Sequence, residues 1–431
     1  MSLSVVILAA GQGTRMRSKK PKVLHEISGK PMLFHAIDAA RELSDDITIV
    51  LYHKAQMIQD IIQSSYSDIN FHIQDAENFP GTGGAMRGVT AKHDKILILN
   101  GDMPLTTKES LEMLSDSDAD INMSVIELDN PHGYGRVVIE DGKVVKIVEQ
   151  KDCSDEELLI QSVNAGVYCV SKKVLTDYIP RIDNNNAQSE YYITDIVQMA
   201  VEDGKSVNPV VVKEVEFKGV NSKIDLSSAE IIMQDRIKRN LMAEGVIMRL
   251  PDTIYIDSRA TIEGECILEN GVTIIGEAYL RDSHIKAHSV IESSRVIESD
   301  VGPMGRIRPD TTLEQTHIGN FVEVKKSTLK GVKAGHLSYI GDSDIDEGSN
   351  IGAGVITCNY DGKAKYKTTI GKNVFVGSDT QLVAPLTIED NVMIAAGTTL
   401  TKDIAQGSLA ISRTPLKVVK GFFYKFFGSS N

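Results

Sequence analysis

Residues 370–400 read IGKNVFVGSDTQLVAPLTIEDNVMIAAGTTL, and every sixth residue is aliphatic: Ile370, Val376, Leu382, Ile388, Ile394 and Leu400. The same spacing runs through Ile256, Ile262, Leu268, Ile274 and Leu280, then restarts at Ile285, Ile291 and Ile297. A period of six fits neither a helix nor one long strand. It is the mark of a hexapeptide parallel β-helix, in which each hexad is a short strand and a corner. One aliphatic side chain per hexad points inward, and stacked coils bury a continuous column. Such a solenoid can be a plain scaffold, so its chemistry is sought where the repeat breaks.

The rest of the chain bounds the answer. Its 431 residues allow two or three domains. A net charge of −13 speaks against general nucleic-acid binding. The cysteines Cys153, Cys169, Cys266 and Cys358 have no CxxC spacing, which suits a reduced, cytoplasmic protein without zinc or disulfides. No apolar run reaches the ~18 residues of a membrane span. The apolar start, Val5 to Ala10, lacks a basic flank and runs into a glycine loop, so it reads as a buried strand.

That loop, Gly11-Gln12-Gly13-Thr14-Arg15, follows the strand directly. Glycines there let backbone N–H groups approach phosphate oxygens, and Arg15 and Lys22 supply positive charge. Neither the dinucleotide fingerprint nor the P-loop pattern fits, and a plain glycine turn stays open on these residues alone. A helix over 31–43 and a strand over 47–52 continue a strand–helix alternation, predicting a doubly wound α/β sheet. Ligands of such sheets bind beyond the carboxyl ends of the strands. Gln74 closes one predicted strand ahead of a second glycine turn, Gly81-Thr82-Gly83-Gly84. Ile96–Leu99 leads into Asn100-Gly101-Asp102, where a carboxylate can hold Mg²⁺ or can simply serve a turn.

Taken together, Leu8-Ala9-Ala10-Gly11-x-Gly13-Thr14-Arg15-Met16, Pro21-Lys22, Gly81-Thr82, Gly101-Asp102, Gly133-Tyr134-Gly135-Arg136, Glu149-Gln150-Lys151, Asn164-Ala165-Gly166 and Gly219-Val220-Asn221 resemble, in order, the motifs of sugar-nucleotide pyrophosphorylases. With the hexad half, nearly the whole chain resembles the bifunctional N-acetylglucosamine-1-phosphate uridyltransferase/glucosamine-1-phosphate acetyltransferase family. Two positions depart from that pattern: Asn100 stands where the family often has Tyr, and Pro80 lengthens the approach to Gly81.

The resemblance implies the following roles. Leu8, Ala9, Ala10, Gly11 and Gln74 line uracil and ribose, with Gly81 and Thr82 continuing the uridine side and Asn100 and Gly101 beside them. Arg15 and Lys22 meet the triphosphate. Gly135, Glu149 and Asn164 hold the acetylated sugar. Asp102 and Asn221 bind Mg²⁺. The sugar phosphate attacks the α-phosphorus of UTP in line, a transfer that needs positioning and charge neutralisation more than a protein nucleophile.

Ser227 and Glu230 have capping-box spacing, and Ala229, Ile232, Met233, Ile237 and Leu241 follow at helical spacing. A helical arm over 226–244 is predicted, dividing the chain into a uridylyltransferase domain (1–223), a linker (224–250) and a β-helix with a C-terminal tail (251–431).

In that β-helix, Leu313 to Ile318 is five residues, Val324 to Ile345 is twenty-one, and Thr357 and Lys363 occupy expected aliphatic positions. This zone carries Arg308, Lys325, Lys326, Lys333, His336, Tyr339, Asn350, Asn359 and Tyr360, a cationic set with one histidine, and is predicted to lie off the core column. The resemblance implies that His336 deprotonates the glucosamine amine as it attacks acetyl-CoA. It further implies that Arg308 and Lys325 clamp the sugar phosphate, that Tyr339, Asn350, Asn359 and Tyr360 contact the sugar, and that Ala353, Ser378, Ala396 and Arg413 lie along the CoA path. The left hand of the β-helix and a homotrimer are implied in the same way. So are glucosamine 1-phosphate, N-acetylglucosamine 1-phosphate, UTP and acetyl-CoA as small-molecule partners.

Three alternatives stay open on the sequence. The first half could serve a different base or sugar. The β-helix could be an oligomerisation module behind a monofunctional pyrophosphorylase, although Lys325, His336 and Asn359-Tyr360 have no use in a bare scaffold. A non-enzymatic sugar-nucleotide-binding trimer would not need Arg15, Lys22 and Asp102. The aromatic tail, Gly421 to Phe427, is expected to pack on the last coil or a neighbouring subunit, with a membrane-surface contact as the other possibility.

Overall fold

A computed structural model describes residues 2–132, 134–148, 150, 153–186 and 188–428. Its contacts divide the chain into two units, Met1–Met233 and Gln234–Asn431.

Among the described residues, the first unit is built on a nine-stranded sheet. Its strands are β1 (Leu3–Leu8), β2 (Asp46–Leu51), β3 (Ile69–Ile73), β4 (Lys95–Asn100), β5 (Ile121–Glu127), β6 (Arg136–Glu140), β7 (Lys143–Val148), β8 (Ser162–Ser171) and β9 (Val207–Val211). The main path runs β9-β5-β8-β4-β1-β2-β3, with β6 and β7 attached through β8. β1 is buried from Leu3 to Ile7, as its unbroken apolar run requires, and pairs in parallel with both β2 and β4. The chain moves outward from β1 to β3, then returns to the other side of β1 as β4. That reversal leaves a crevice beyond the adjacent ends of β1 and β4, where Leu8 stands opposite Asn100. The sheet is not wholly parallel, because β8 runs antiparallel to both β4 and β5.

The second unit is a parallel β-helix. Each strand pairs with the third one after it until Met393–Ile394, which pairs with the second one after it, Leu409–Ala410; this gives three faces of ten, nine and eight strands among the described residues. The faces begin with Ile247–Met248, Tyr255–Ile256 and Thr261–Glu263 and are called first, second and third below. The aliphatic column is continuous and forms the core of the unit.

Two expectations about the repeat are corrected. Ile297 does not belong to the column; Val296 does, stacked on Leu280 and Leu313, while Ile297 is half-buried. The zone from Arg308 to Tyr339 is not off register either. Leu329, Ala334 and Ile340 carry the column through it on five- and six-residue steps. A turn shortened by one residue still delivers the next side chain inward, so the column survives where strict sixfold counting fails. Thr357 also sits in the column, 1% exposed, its hydroxyl satisfied by the Gly341 N–H (2.7 Å) and carbonyl (3.1 Å). Within the stretch of broken spacing, one true excursion remains, the loop between the strands Ile356–Cys358 and Thr368–Ile370.

The helical arm spans Lys223–Ala243. Its start is capped by Ser222 and Asp225 rather than by Ser227 and Glu230. The Asp225 carboxylate accepts from the Ser222 N–H (2.8 Å), and the Ser222 hydroxyl accepts from the Asp225 N–H (3.2 Å). Glu230 is engaged elsewhere, accepting from the Ser28 N–H (2.8 Å) and hydroxyl (3.1 Å). Further along, Gln234 is buried and makes both hydrogen bonds of an edge strand to Ile256, accepting from its N–H (3.0 Å) and donating to its carbonyl (2.7 Å). It closes an open end of the β-helix that would otherwise present bare backbone. Gln234→Ala leaves that buried N–H and C=O without this partner. The β-helix unit is expected to lose about 1–3 kcal/mol, read by denaturant unfolding followed through acetyl transfer; an unchanged midpoint refutes the role.

The aromatic tail forms a short helix, Phe422–Phe427, whose rings stack on one another and remain 56–71% exposed. Packing on the last coil is therefore not observed. Among the described residues, no helix is long and apolar enough to cross a membrane.

Candidate functional sites

In the first unit, the crevice beyond β1 and β4 is a cleft of about 1080 Å³. Leu8, Ala9, Ala10, Gly11, Arg15, Lys22, Gln74, Gly81, Thr82, Asn100, Asp102, Asn164 and Asn221 all line it. The loop is fastened at both sides: the Ala9 N–H donates to the Val50 carbonyl and the Gly101 N–H to the Leu8 carbonyl, each at 2.9 Å. A Cβ built on Gly11 would meet nothing within 4 Å, so this backbone lies open to the cleft. Gly81 has φ +94° and a Cβ there would lie 2.5 Å from the Tyr191 carbonyl oxygen, so its glycine is required. Gln74 donates to the carbonyls of Phe79 and Gly81, both at 3.0 Å, which ties it to that turn. The Thr82 hydroxyl accepts from the Ile193 N–H (3.1 Å). Asn100 donates to the Gly166 carbonyl (3.2 Å), and Asn164 is held by Tyr168 Oη (2.7 Å) and the Gly166 N–H (2.9 Å).

The cationic end of the cleft is tightly knit. Lys22 Nζ lies 2.6 Å from Asp102 Oδ2 and 3.2 Å from Asn221 Oδ1, and Arg15 donates to the same Asn221 oxygen at 2.8 Å. The Asp102 carboxylate and the Asn221 amide thus converge on a single cation position. Two oxygen donors at one point suit a hard divalent ion that completes its shell with phosphate and water. Among the described residues, no group of three or more His, Cys, Asp or Glu could hold a metal alone. Asp225 accepts from the Asn221 N–H at 3.1 Å; burial pushes its carboxyl up, but hydrogen bonds from Ser222 and the backbone outweigh this and hold it low.

Two predicted contacts fall elsewhere. Gly101 does not line the cleft; a Cβ there would meet Leu33 Cδ1 at 2.9 Å and Ala9 Cβ at 3.3 Å, so it serves packing beneath the loop. Gly135 does not line it either, although its neighbour Tyr134 does. Glu149 lies outside the described residues, as do Gly133 and Lys151 of the quoted motifs. Tyr52, Glu190, Tyr192 and Lys218 line the cleft and were missed, because no local pattern marks them.

In the second unit, the corner between the second and third faces gathers cations. Arg308 follows the strand Arg306–Ile307 and pairs with Glu323 at 2.8 Å, which holds its guanidinium high. Lys325 ends the strand Glu323–Lys325, and the neighbouring Lys365, reinforced by Arg308, pushes the Lys325 ammonium down. Lys365 was missed. It sits on the excursion loop, bridged to Tyr360. On that loop Asn359 donates to the Asp342 carboxylate, and exposed Tyr360 donates to the Gly362 carbonyl (2.8 Å). Tyr339 opens the second-face strand Tyr339–Gly341 between these groups and His336. Three cations held close together form a site for an anion.

His336 ends the first-face strand Lys333–His336 and is exposed. Register places Ala334, Ile351, Val376, Ile394 and Ala410 in one stack, so His336, Ala353, Ser378 and Ala396 occupy the same corner of successive coils. The Asp379 N–H donates to Ala353, the Gly397 N–H to Ser378 (both 2.8 Å), and Arg413 Nε to Ala396 (3.1 Å). From His336 this ledge of small residues runs three coils, about 14 Å, toward Arg413. Asn350 belongs to the first face, beside Lys333, not to the cation corner.

Residues 5–141 match the MobA-like NTP transferase domain, and residues 367–402 match the bacterial transferase hexapeptide (six repeats). The bifunctional protein GlmU of a Sulfurovum species is 69% identical over 428 residues, covering 99% of this chain and all of that one. This chain belongs to the GlmU family. GlmU of a Nitratiruptor species is 60% identical over the full length of both chains. With both halves matched, the β-helix is the left-handed hexapeptide type. As a GlmU protein the chain is a bifunctional enzyme, a uridylyltransferase and an acetyltransferase. The monofunctional alternative is set aside because the bifunctional relatives match end to end.

Proposed function

We propose that the β-helix acetylates glucosamine 1-phosphate from acetyl-CoA and that the first unit then transfers uridylyl from UTP to the N-acetylglucosamine 1-phosphate formed. The observation that carries this assignment is that each unit has its own cluster of cationic side chains: Arg15 and Lys22 in one, Arg308, Lys325 and Lys365 in the other.

In the acetyl site, the cation corner holds the sugar phosphate. A three-residue strand, on the order of 10 Å, separates it from His336, a span that suits a hexosamine phosphate. His336 takes a proton from the amine as its nitrogen bonds to the thioester carbonyl carbon. The C–S bond then breaks and CoA leaves as the thiol. Ala353, Ser378 and Ala396 leave room for the CoA arm, and Arg413 meets its phosphates. Asn350, on another face, contacts sugar in a trimer, where a neighbouring chain completes the site.

In the uridylyl site, Leu8 to Gly11, Gln74, Gly81, Thr82 and Asn100 surround the nucleoside, and Gly135, Glu149 and Asn164 the sugar. Asp102 and Asn221 would hold a magnesium ion, which would supply charge neutralisation at the phosphates. Arg15 and Lys22 face the triphosphate and stabilise charge as pyrophosphate departs. We take the catalytic units as residues 1–223 and 251–431, with 224–250 between them carrying the helix to Ala243 and the first β-helix strand at Ile247–Met248, and place the enzyme in the cytoplasm.

One reaction tests the order. With glucosamine 1-phosphate, acetyl-CoA, UTP and Mg²⁺ present, free thiol and pyrophosphate are both expected, and pyrophosphate is expected to depend on acetyl-CoA. Pyrophosphate at the same rate without acetyl-CoA refutes the sequence of steps.

A further inference from the structure

The segment that delivers Asn221 to the cation position is anchored by a buried carboxylate with no part in the chemistry above. Glu216 lies in the short helix Glu214–Phe217 and is 6% exposed. Its carboxylate accepts from Ser110 Oγ, from Thr107 Oγ1 (3.2 Å) and from Lys213 Nζ (3.2 Å). Burial pushes this carboxyl up, but those hydrogen bonds outweigh the burial and keep it below its ordinary range. Thr107 is the N-cap of the helix Lys108–Ser115, accepting from the Ser110 N–H at 3.3 Å. The charge therefore rests at a helix N-terminus, where the macrodipole favours it.

A second tie runs beside the first. Thr106 Oγ1 lies 3.0 Å from both the Glu216 carbonyl and the Met103 carbonyl. Thr106 and Met103 belong to the segment leaving Asp102, while Glu216 belongs to the segment entering Asn221. A third contact, from the Val220 N–H to the Asp102 carbonyl (2.9 Å), closes the pair. Between these ties, a Cβ on Gly219 would rest in van der Waals contact with the Asp102 carboxylate, 3.4 Å from Oδ2. Two segments more than a hundred residues apart in sequence are thus latched together behind the two oxygen donors, with Glu216 as the only charged side chain of the latch that is buried.

We propose that Glu216 is a positioning residue for uridylyl transfer, holding Asn221 opposite Asp102 without touching substrate. The inference rests on Asp102 and Asn221 being the metal ligands. Groups that orient metal ligands typically contribute 10–100-fold to metal affinity.

The test is Mn²⁺ binding to the full-length protein without nucleotide, read by electron paramagnetic resonance, for wild type, Glu216→Ala, Glu216→Gln and Asp102→Ala. Glu216→Ala is expected to weaken Mn²⁺ about tenfold and to raise the KM for Mg²⁺ in pyrophosphate release more than it lowers kcat. Glu216→Gln keeps an acceptor for Ser110 and Thr107 and is expected to recover part of that loss. Acetyl transfer by the same protein, expected unchanged, reports an intact second unit. Where Glu216→Ala melts below the assay temperature, the Gln variant carries the test, with an expected fall of about threefold. Unchanged Mn²⁺ affinity in the Glu216 variants, alongside lost affinity in Asp102→Ala, overturns the inference. So does a lower kcat with no change in metal affinity, which marks a merely structural role. Unchanged affinity in Asp102→Ala overturns the metal assignment itself.

Discussion

His336→Ala is expected to lower acetyl transfer by roughly 10²–10⁴-fold while uridylyl transfer proceeds at the wild-type rate. His336 is exposed at a corner of the β-helix, so its removal opens no cavity and is expected to change stability by less than about 0.5 kcal/mol. Its loss removes the imidazole proposed as base at the head of the ledge formed by Ala353, Ser378 and Ala396, three coils that the register stacks beneath it. The cation corner at Arg308, Lys325 and Lys365, proposed to hold the sugar phosphate, stays intact, so the KM for glucosamine 1-phosphate is expected to move little while kcat falls. Thiol release from acetyl-CoA measures the first activity, and pyrophosphate release from UTP and N-acetylglucosamine 1-phosphate the second. Thiol release at the wild-type rate refutes the assignment of His336 as base.

Asp102→Ala gives the opposite pattern. Uridylyl transfer is expected to fall on the order of 10²–10³-fold, with acetyl transfer untouched. The carboxylate is one of two oxygens that meet at the Lys22 ammonium, and both it and Lys22 are largely shielded, at 17% and 14% exposure. Removing it takes away a proposed metal ligand and also frees Lys22 from its ion pair. Chelation separates these effects. In the wild type, EDTA is expected to abolish pyrophosphate release and excess Mg²⁺ to restore it, while thiol release continues throughout. In Asp102→Ala, excess Mg²⁺ is expected not to restore the rate. A variant that still releases pyrophosphate normally refutes the assignment of Asp102 to the metal.

The paired outcomes follow from the architecture. The cluster around Asp102 lies inside the first unit, and the His336 ledge with the cation corner inside the second, each on strand ends and loops fixed by that unit's own hydrogen bonds. A substitution in one cluster therefore has no reason to disturb the other.

The sequence by itself determined the kind of scaffold and the identity of most of the chemical groups. A sixfold aliphatic period is a local property, because each coil repeats the same inward step. It is therefore legible in the chain before folding, as in Ile370 to Leu400. The glycine loop after an apolar strand is local too, since Gly13, at φ +63°, is demanded by the backbone it sits in. What the sequence mispredicted was register through five-residue steps. Counting by six put Ile297 in the core and removed Leu329 to Ile340 from it, whereas the ladders of the neighbouring coils keep the column continuous. Ser227 and Glu230 likewise satisfied a capping pattern, but Ser28 claims Glu230, and Ser222 with Asp225 caps the helix instead. Only the tertiary structure decided which distant groups meet. Lys22 and Asn221 are 199 residues apart yet 3.2 Å from atom to atom. Lys365 joins Lys325 because an extruded loop folds back onto its corner, and Glu216 finds Thr107 and Ser110 across more than a hundred residues. No local periodicity encodes such meetings; they are set by the order of strands in a sheet and the stacking of coils, which exist only once the chain has closed on itself.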